Sequence, residues 1–379
     1  MADTTANESE IPRVNIATDG DLILIINNNY ELRVHSFILK TNSPVFQVML
    51  GPHWLEGQSL ANISSTSPGT LKLPDDDPEA MKYLCLMLHN CHNELMTAPS
   101  HALLLDIAKA ADKYRCISST RLIFELWISQ LVNLKYYEIE YSHLATAYIL
   151  EDAWTFEEFS RKVLMKTSPH EFRTFCKSAT SGDEFGIVAA FMLRYALLRN
   201  IVIGGVDRMV EEMCKLLGPD MKHYVDNIPG ITDEDAKQFV RRRRGGLPKF
   251  CDYYQKMTGE HLALFAEARI WPDCRAERLE SLIQKLKHLK LPEIHFDDGQ
   301  CMREDFWEDN WFISDLPSAL AALEAIADHV DTALCVHCVR LADGAGCEEH
   351  QGLRVIPSLS KQTLMTVHLE QVRFEYGDL

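Results

Sequence analysis

Early in this chain the spacing of apolar residues shifts from a strand period to a helix period, and no other feature limits the fold as much. Leu22-Ile-Leu-Ile-Ile26 is a continuous apolar run of strand length. Asn27-Asn-Asn29 follows it, and asparagine tolerates the left-handed backbone of a tight turn. Tyr30-Glu-Leu-Arg-Val34 alternates apolar with polar residues, so it reads as a half-buried strand folded back on the first. Helical signals then take over. Phe37, Ile38 and Leu39 form one apolar cluster, and Ser43-Pro44 supplies an N-cap and a first helical residue. Val45, Phe46, Val48, Met49 and Leu50 make the apolar face of that second helix. The stretch 57–69 is rich in Ser, Gly and Asn and reads as an exposed loop. Leu71-Lys-Leu73 is a short strand, and Asp75-Asp-Asp-Pro78 begins a helix whose dipole favours acids at that end. Helices are expected at 79–89, 102–114 and 119–131.

From about 132 to 330 the periodicity is almost wholly helical. The spacing predicts helices at 141–150, 156–166, 169–177, 185–198, 206–217, 233–244, 261–268, 275–289 and 319–329. Pro229-Gly230 and Gly245-Gly-Leu-Pro248 punctuate this region, and no repeat of fixed period is present. The last fifty residues hold a Cys/His cluster and, at 365–374, an alternation that suggests a strand. The polar, acidic residues 1–15 show no period and are expected to be a mobile end.

Charge and composition narrow the function classes. The chain of 379 residues carries 38 Lys+Arg against 55 Asp+Glu, a formal charge of −17. Nucleic-acid affinity comes largely from cations that displace counterions, so a general nucleic-acid binder is not expected. Apolar residues at 46% and charged residues at 25% are ordinary globular usage, which rules out a mostly disordered chain. The first residues lack the basic and apolar regions of a secretion signal. The eleven cysteines are scattered through helical patterns, as in Cys85, Cys116 and Cys214, which suits buried thiols in a reducing compartment. An intracellular protein, cytoplasmic or nuclear, is therefore expected. The stretch 186–205 imitates a membrane span, but Arg194 and Arg199 would each cost roughly 2.5–3.5 kcal/mol near a bilayer centre. It reads as a buried helix whose arginines reach the surface.

The ordered set of elements and residues before position 131 resembles a BTB/POZ domain. The resemblance is carried by Asp21-Leu-Ile-Leu-Ile-Ile, Leu32-Arg-Val-His-Ser-Phe-Ile-Leu39, Ser43-Pro-Val-Phe46 and Met49. It continues through Leu71-Lys-Leu-Pro-Asp-Asp-Asp-Pro78, Leu103-Leu-Leu-Asp-Ile-Ala-Lys-Ala-Ala-Asp-Lys-Tyr114 and Cys116. With its long helical remainder, the chain is similar to fungal-type BTB proteins. The resemblance implies an α+β fold: a BTB/POZ domain of a small sheet plus helices at 16–131, followed by a mostly α-helical region at 132–330. Residues 331–379 form the Cys/His-containing C-terminal segment. It also implies a protein-interaction module that needs no cofactor and often pairs with itself through apolar helical surface. One departure stands out. Many members have Arg after the histidine of the strand-to-helix junction, and in transcriptional members it forms a charged groove with the counterpart of Asp21. Here His35 is followed by Ser36.

Chemistry-bearing clusters are few. Cys335-Val-His-Cys338, then Cys347-Glu-Glu-His350, present two close ligand pairs, with Gly344 and Gly346 letting the chain double back. Cys335, Cys338, Cys347 and His350 have the types and number for one structural zinc, although the spacer is shorter than in usual fingers. His337 could compete as a ligand, and the bland alternative is a set of reduced, partly buried thiols. A redox Cys-x-x-Cys fits less well, because no flanking helix N-terminus is evident. Cys85, His89, Cys91 and His92 are better read as helix core and helix end. Arg241-Arg-Arg-Arg244 reads as a basic helix end rather than an import signal, and Trp307 and Trp311, four apart, as core anchors. His295 with Asp297-Asp298 is a thin candidate for acid–base work. No nucleophile elbow, phosphate loop, zincin motif or complete dinucleotide fingerprint occurs; Ile203-Gly-Gly205 lacks its third glycine. The expected role is therefore a non-catalytic scaffold that binds itself or other proteins. The alternatives are a substrate adaptor of a cullin-type ubiquitin ligase and a metal-dependent enzyme using the Cys/His cluster.

Overall fold

The computed structural model describes residues 12–54, 57–58, 63–131, 134–179, 185–216, 234–235, 237–238, 252–289 and 335–340. They belong to two compact units, Met1–Phe159 and Ser160–Leu379. The first is built on a four-stranded sheet: β1 (Arg13–Asn15), β2 (Leu22–Ile26), β3 (Tyr30–Val34) and β4 (Gly69–Leu73), in the order β1-β3-β2-β4. β2 and β3 are the expected antiparallel hairpin, with Leu24 opposite Leu32. Asn27 and Asn28 take φ of 48° and 58°, the left-handed conformation that closes so short a connection. β4 joins β2 in parallel, pairing Leu71 with Leu24, which stacks buried leucines of three strands at one level.

Residues 13–15, expected to lie in a mobile end, are ordered. Arg13–Asn15 is a strand parallel to β3, with Val14 opposite Leu32. The free edge of β3 recruits it, since unpaired backbone groups favour a partner strand. The Glu31 N–H reaches the Pro12 carbonyl at 3.0 Å, and the Arg13 guanidinium donates to the Glu31 carboxylate at 2.6 Å. Three residues without an apolar period leave no sequence signal for such a strand.

Helices α1 (Ser36–Asn42) and α2 (Pro44–Met49) follow the sheet, then α3 (Pro78–Leu88), α4 (His101–Lys113) and α5 (Ile117–Leu131). Their starts obey capping chemistry. Ser43 Oγ accepts from the Phe46 N–H at 3.1 Å, and Asp77 Oδ1 from the Ala80 N–H at 2.8 Å, each with proline next in sequence. Leu22, Leu24, Leu32 and Val34 of the sheet, Leu39 of α1, Phe46 of α2 and Met81, Leu84 and Cys85 of α3 are all fully buried. The Phe46 and Tyr114 rings stack with centroids 4.3 Å apart. Trp127 of α5 is also enclosed and donates its indole N–H to the Leu95 carbonyl at 2.7 Å. α6 (Tyr141–Ile149) packs on α4, so the first unit extends beyond residue 131. α7 (Ala153–Lys166) spans the boundary at Phe159.

The second unit contains α8 (Pro169–Lys177), α9 (Ile187–Leu216), α10 (Asp252–Glu267), α11 (Leu279–His288) and α12 (Val336–Arg340). Sequence spacing predicts two helices within 185–217; the structure has one, of 30 residues. Its buried stripe runs without a break through Phe191, Tyr195, Leu198, Val202, Val206, Met209 and Met213. Packing of that stripe against α10 and α11 overrides the helix-breaking tendency of Gly204-Gly205.

One arginine of α9 also departs from expectation. By length and composition, residues Ile187–Glu211 could cross a membrane. Arg199, however, does not reach the surface: it is buried inside the second unit. Its guanidinium donates to the carbonyls of Glu277 (2.8 Å), Cys274 and Arg275, around the turn Asp273–Arg275. Tyr195 lies one helical turn away, its ring centroid 5.5 Å from the guanidinium carbon. Several carbonyls converging on a delocalised cation compensate the desolvation that burial imposes.

Candidate protein-docking surface

The junction from β3 into α1 is held by one carboxylate. Asp21, at the start of β2, accepts from the Ser36 N–H and from the Ser36 hydroxyl, both at 2.7 Å. Burial pushes its pKa up, but the two Ser36 hydrogen bonds outweigh that and hold the carboxyl below its usual range. Asp21 thus does for α1 what an N-cap would do, because His35 at the cap position makes no side-chain capping bond. Ser36 thus occupies both oxygens of the Asp21 carboxylate.

Beside this junction, His35 and His89 form a second tie. The His35 N–H donates to His89 Nε2 at 3.1 Å, and His89 Nδ1 lies 2.8 Å from the Cys85 carbonyl. An accepting Nε2 places the proton on Nδ1, so this arrangement requires neutral His89. Burial lowers the His89 pKa accordingly, opposed by the Cys85 carbonyl. His35 Nε2 faces Asp19 Oδ1 at 3.2 Å. His89 caps the end of α3 and Cys85 is fully buried with its thiol pKa pushed up, so these residues are helix end and core.

α1 and α2 form a helical hairpin on this frame. Leu39 and Phe46 face inward, while Phe37 is 75% exposed, Val48 55% and Trp54, in the turn after α2, 54%. α5 carries a second exposed pair, Leu122 (81%) and Leu126, four residues apart on one strip. The Arg121–Glu125 ion pair at 3.0 Å flanks that strip. α5 adjoins α1, since the Ser119 hydroxyl donates to the Asn42 carbonyl at 3.2 Å. Exposed apolar side chains clustered on one face are candidates for a protein-docking surface. Sequence periodicity assigned Val48 and Phe37 to apolar clusters without separating inward from outward faces.

Where α4 meets α6 lies a group the sequence did not suggest. His101 Nε2 is 2.8 Å from Glu140 Oε2, and the His101 and His143 rings are 5.1 Å apart. The Glu140 N–H donates to His143 Nδ1 at 3.1 Å, and the Phe159 ring meets His143 edge-on. Burial first, and His101 second, push the His143 pKa down to about 4.

Of the zinc ligands expected from spacing, Cys335 is buried and directly precedes α12, so the Cys335–Cys338 pair sits at a short helix rather than on turns. The Cys338 side chain, Cys347 and His350 lie outside the described residues, as do Arg241–Arg244, His295, Asp297, Asp298, Trp307, Trp311 and segments 319–329 and 365–374. Among the described residues, no group of three or more His, Cys, Asp or Glu is placed to hold a metal ion. Cys116 and Cys274 are buried thiols whose pKa values burial raises to about 12 and about 11, the opposite of an activated nucleophile.

No curated protein and no solved structure matches the chain. The BTB/POZ domain family matches residues 17–131, which begin just before β2 and end with α5. Sheet, helical hairpin and following helices agree with that match: the first third of this chain is a BTB/POZ domain, a protein-interaction module, followed by a mostly helical region.

Proposed function

We propose that the chain is a non-catalytic interaction scaffold that self-associates through the α1–α2 hairpin of its BTB/POZ domain. The observation that carries this reading is Phe37, the most exposed aromatic side chain among the described residues, on a helix whose Leu39 is fully buried. Val48 and Trp54 extend the apolar surface of the same hairpin. A stable pairing would bury roughly 1,200–2,000 Å² in total, with an aromatic anchor near its centre. The free, mostly buried cysteines among the described residues and the net charge of −17 support an intracellular protein, cytoplasmic or nuclear, that binds neither nucleic acid nor membrane. The helical remainder keeps the likeness to fungal-type BTB proteins within this reading. One structural zinc on Cys335, Cys338, Cys347 and His350 completes it, tested by metal analysis at one equivalent per chain.

Sedimentation across 1–50 µM tests the pairing. The wild type should show a concentration-dependent dimer, and Phe37→Asp should raise the dissociation constant tenfold or more. Monomer throughout for the wild type removes self-pairing.

A second reading, a substrate adaptor of a cullin-type ubiquitin ligase, is favoured by α6. That helix follows the matched residues directly and packs on α4, lengthening the helical side of the domain. Capture of a cullin by the full chain, lost on deleting 1–131, would support it; no capture at micromolar concentration would remove it.

A further inference from the structure

Three Ser-Pro dipeptides occur in this chain, at Ser43, Ser67 and Ser168, and the fold treats them differently. Ser43 is fully buried; its Oγ accepts from the Phe46 N–H and donates to the Tyr114 carbonyl at 2.6 Å. Ser168 closes a capping box, accepting from the Glu171 N–H while its own N–H reaches the Glu171 carboxylate at 2.7 Å. In both, the proline is the first residue of a helix, α2 or α8. Ser67 has neither constraint. It is exposed, at the end of a four-residue turn, Ser64 to Ser67, closed by reciprocal backbone hydrogen bonds of 3.1 Å. Pro68 follows outside any helix, one residue before β4.

A cation waits beside this turn. Arg33 of β3 donates through Nη2 to the Ser65 carbonyl at 2.6 Å and through Nε to the Gly20 carbonyl at 2.9 Å. A carbonyl is a weak partner for a guanidinium that could instead pair with a doubly charged oxyanion two residues along.

We propose that Ser67 is a phosphoacceptor site for a proline-directed protein kinase, and that Arg33 holds the resulting phosphate. In that step the Ser67 Oγ attacks the γ-phosphorus of ATP, and a new O–P bond forms. The bond to the ADP oxygen breaks, ADP departs, and the hydroxyl proton is released. The product carries about −1.5 to −2 charges at the corner where Gly20 leads into Asp21, the residue that caps α1.

The test uses the full folded chain, a purified proline-directed kinase and Mg-ATP, with sites mapped by tandem mass spectrometry. Near one phosphate per chain is expected at Ser67, absent in Ser67→Ala. Incorporation only at Ser43, Ser168 or elsewhere, or none at Ser67 whether or not a peptide of residues 60–74 is labelled, overturns the proposal. The role of Arg33 is read by phosphorus NMR. The phosphate of the labelled wild type should titrate at least half a pH unit below that of Arg33→Gln, with Arg33→Lys intermediate as the variant more sure to fold. Identical titration in all three removes Arg33 from the proposal.

Discussion

At the scale of single residues, side chains that serve two elements at once decide the stability of the first unit. Ser43 caps α2 and also ties it to the end of α4 through the Tyr114 carbonyl. Ser43→Ala removes both bonds and leaves a buried carbonyl without its donor, so it should destabilise by about 2–3 kcal/mol. Urea unfolding with an unchanged slope checks this. The cap was legible in the sequence as Ser before Pro, but the bond to Tyr114, 71 residues away, was not. His143 was illegible for the same reason, because its burial depends on α4 and Phe159 rather than on its own neighbours. The sign of its effect follows from its depressed pKa. An unfolded histidine titrates near 6.5, the folded one at about 4, so the unfolded state takes up the proton first as pH falls. The stability it contributes is fully present above about pH 6.5 and is lost progressively down to pH 4. His101 and Glu140 face it, the His101 ring centroid 5.1 Å away. Unfolding free energies at pH 7 and pH 4.5 should differ by less in His143→Gln than in the wild type, by up to about 3 kcal/mol. His89, lowered as well, leaves a residual slope of the same sign.

At the scale of elements, periodicity finds what is long and half-buried and misses what depends on a neighbour. The β2–β3 hairpin and α1 to α5 were readable because alternation, caps and apolar faces agreed. β1 escaped because three residues carry no period, and its partner is the β3 edge. Sequence spacing ends one helix at 198 and begins the next at 206, while the buried stripe that joins them becomes visible only against α10 and α11. A Cβ at Gly204 would meet nothing within 4 Å. Gly204→Ala should therefore stabilise the second unit by about 1 kcal/mol, through helix propensity without a steric penalty. A raised thermal midpoint would bear this out, and a lowered one would mean that the bare backbone is needed there. The docking surface was half legible. Apolar residues of α1, α2 and α5 were identifiable as such, but exposure of Phe37, Val48 and Leu122 depends on where α3 and α4 lie.

At the scale of the whole molecule, the family match and the compact unit do not end together: the match stops at 131 and the unit at Phe159. The difference is physical. α6 buries Tyr141, Leu144, Ala145, Ala147 and Ile149, and it packs on α4, whose buried residues include Leu104, Ile107 and Ala111. A chain cut at 131 would expose part of that α4 face to water, at about 25 cal/mol for each Å² of apolar surface uncovered. It would also strand His101 without Glu140. A fragment of residues 1–166, which keeps α6 and the whole of α7, should unfold in one cooperative transition. A fragment of residues 1–131 should melt several degrees lower, bind more of a hydrophobic dye and associate non-specifically with concentration. Calorimetry on the two fragments decides the matter. Equal midpoints would mean that the sheet and α1 to α5 suffice, leaving α6 as an appendage. A lower midpoint for the shorter fragment makes α6 part of the folding unit, so that anything docked on the BTB/POZ domain meets a helical side extended beyond the matched residues.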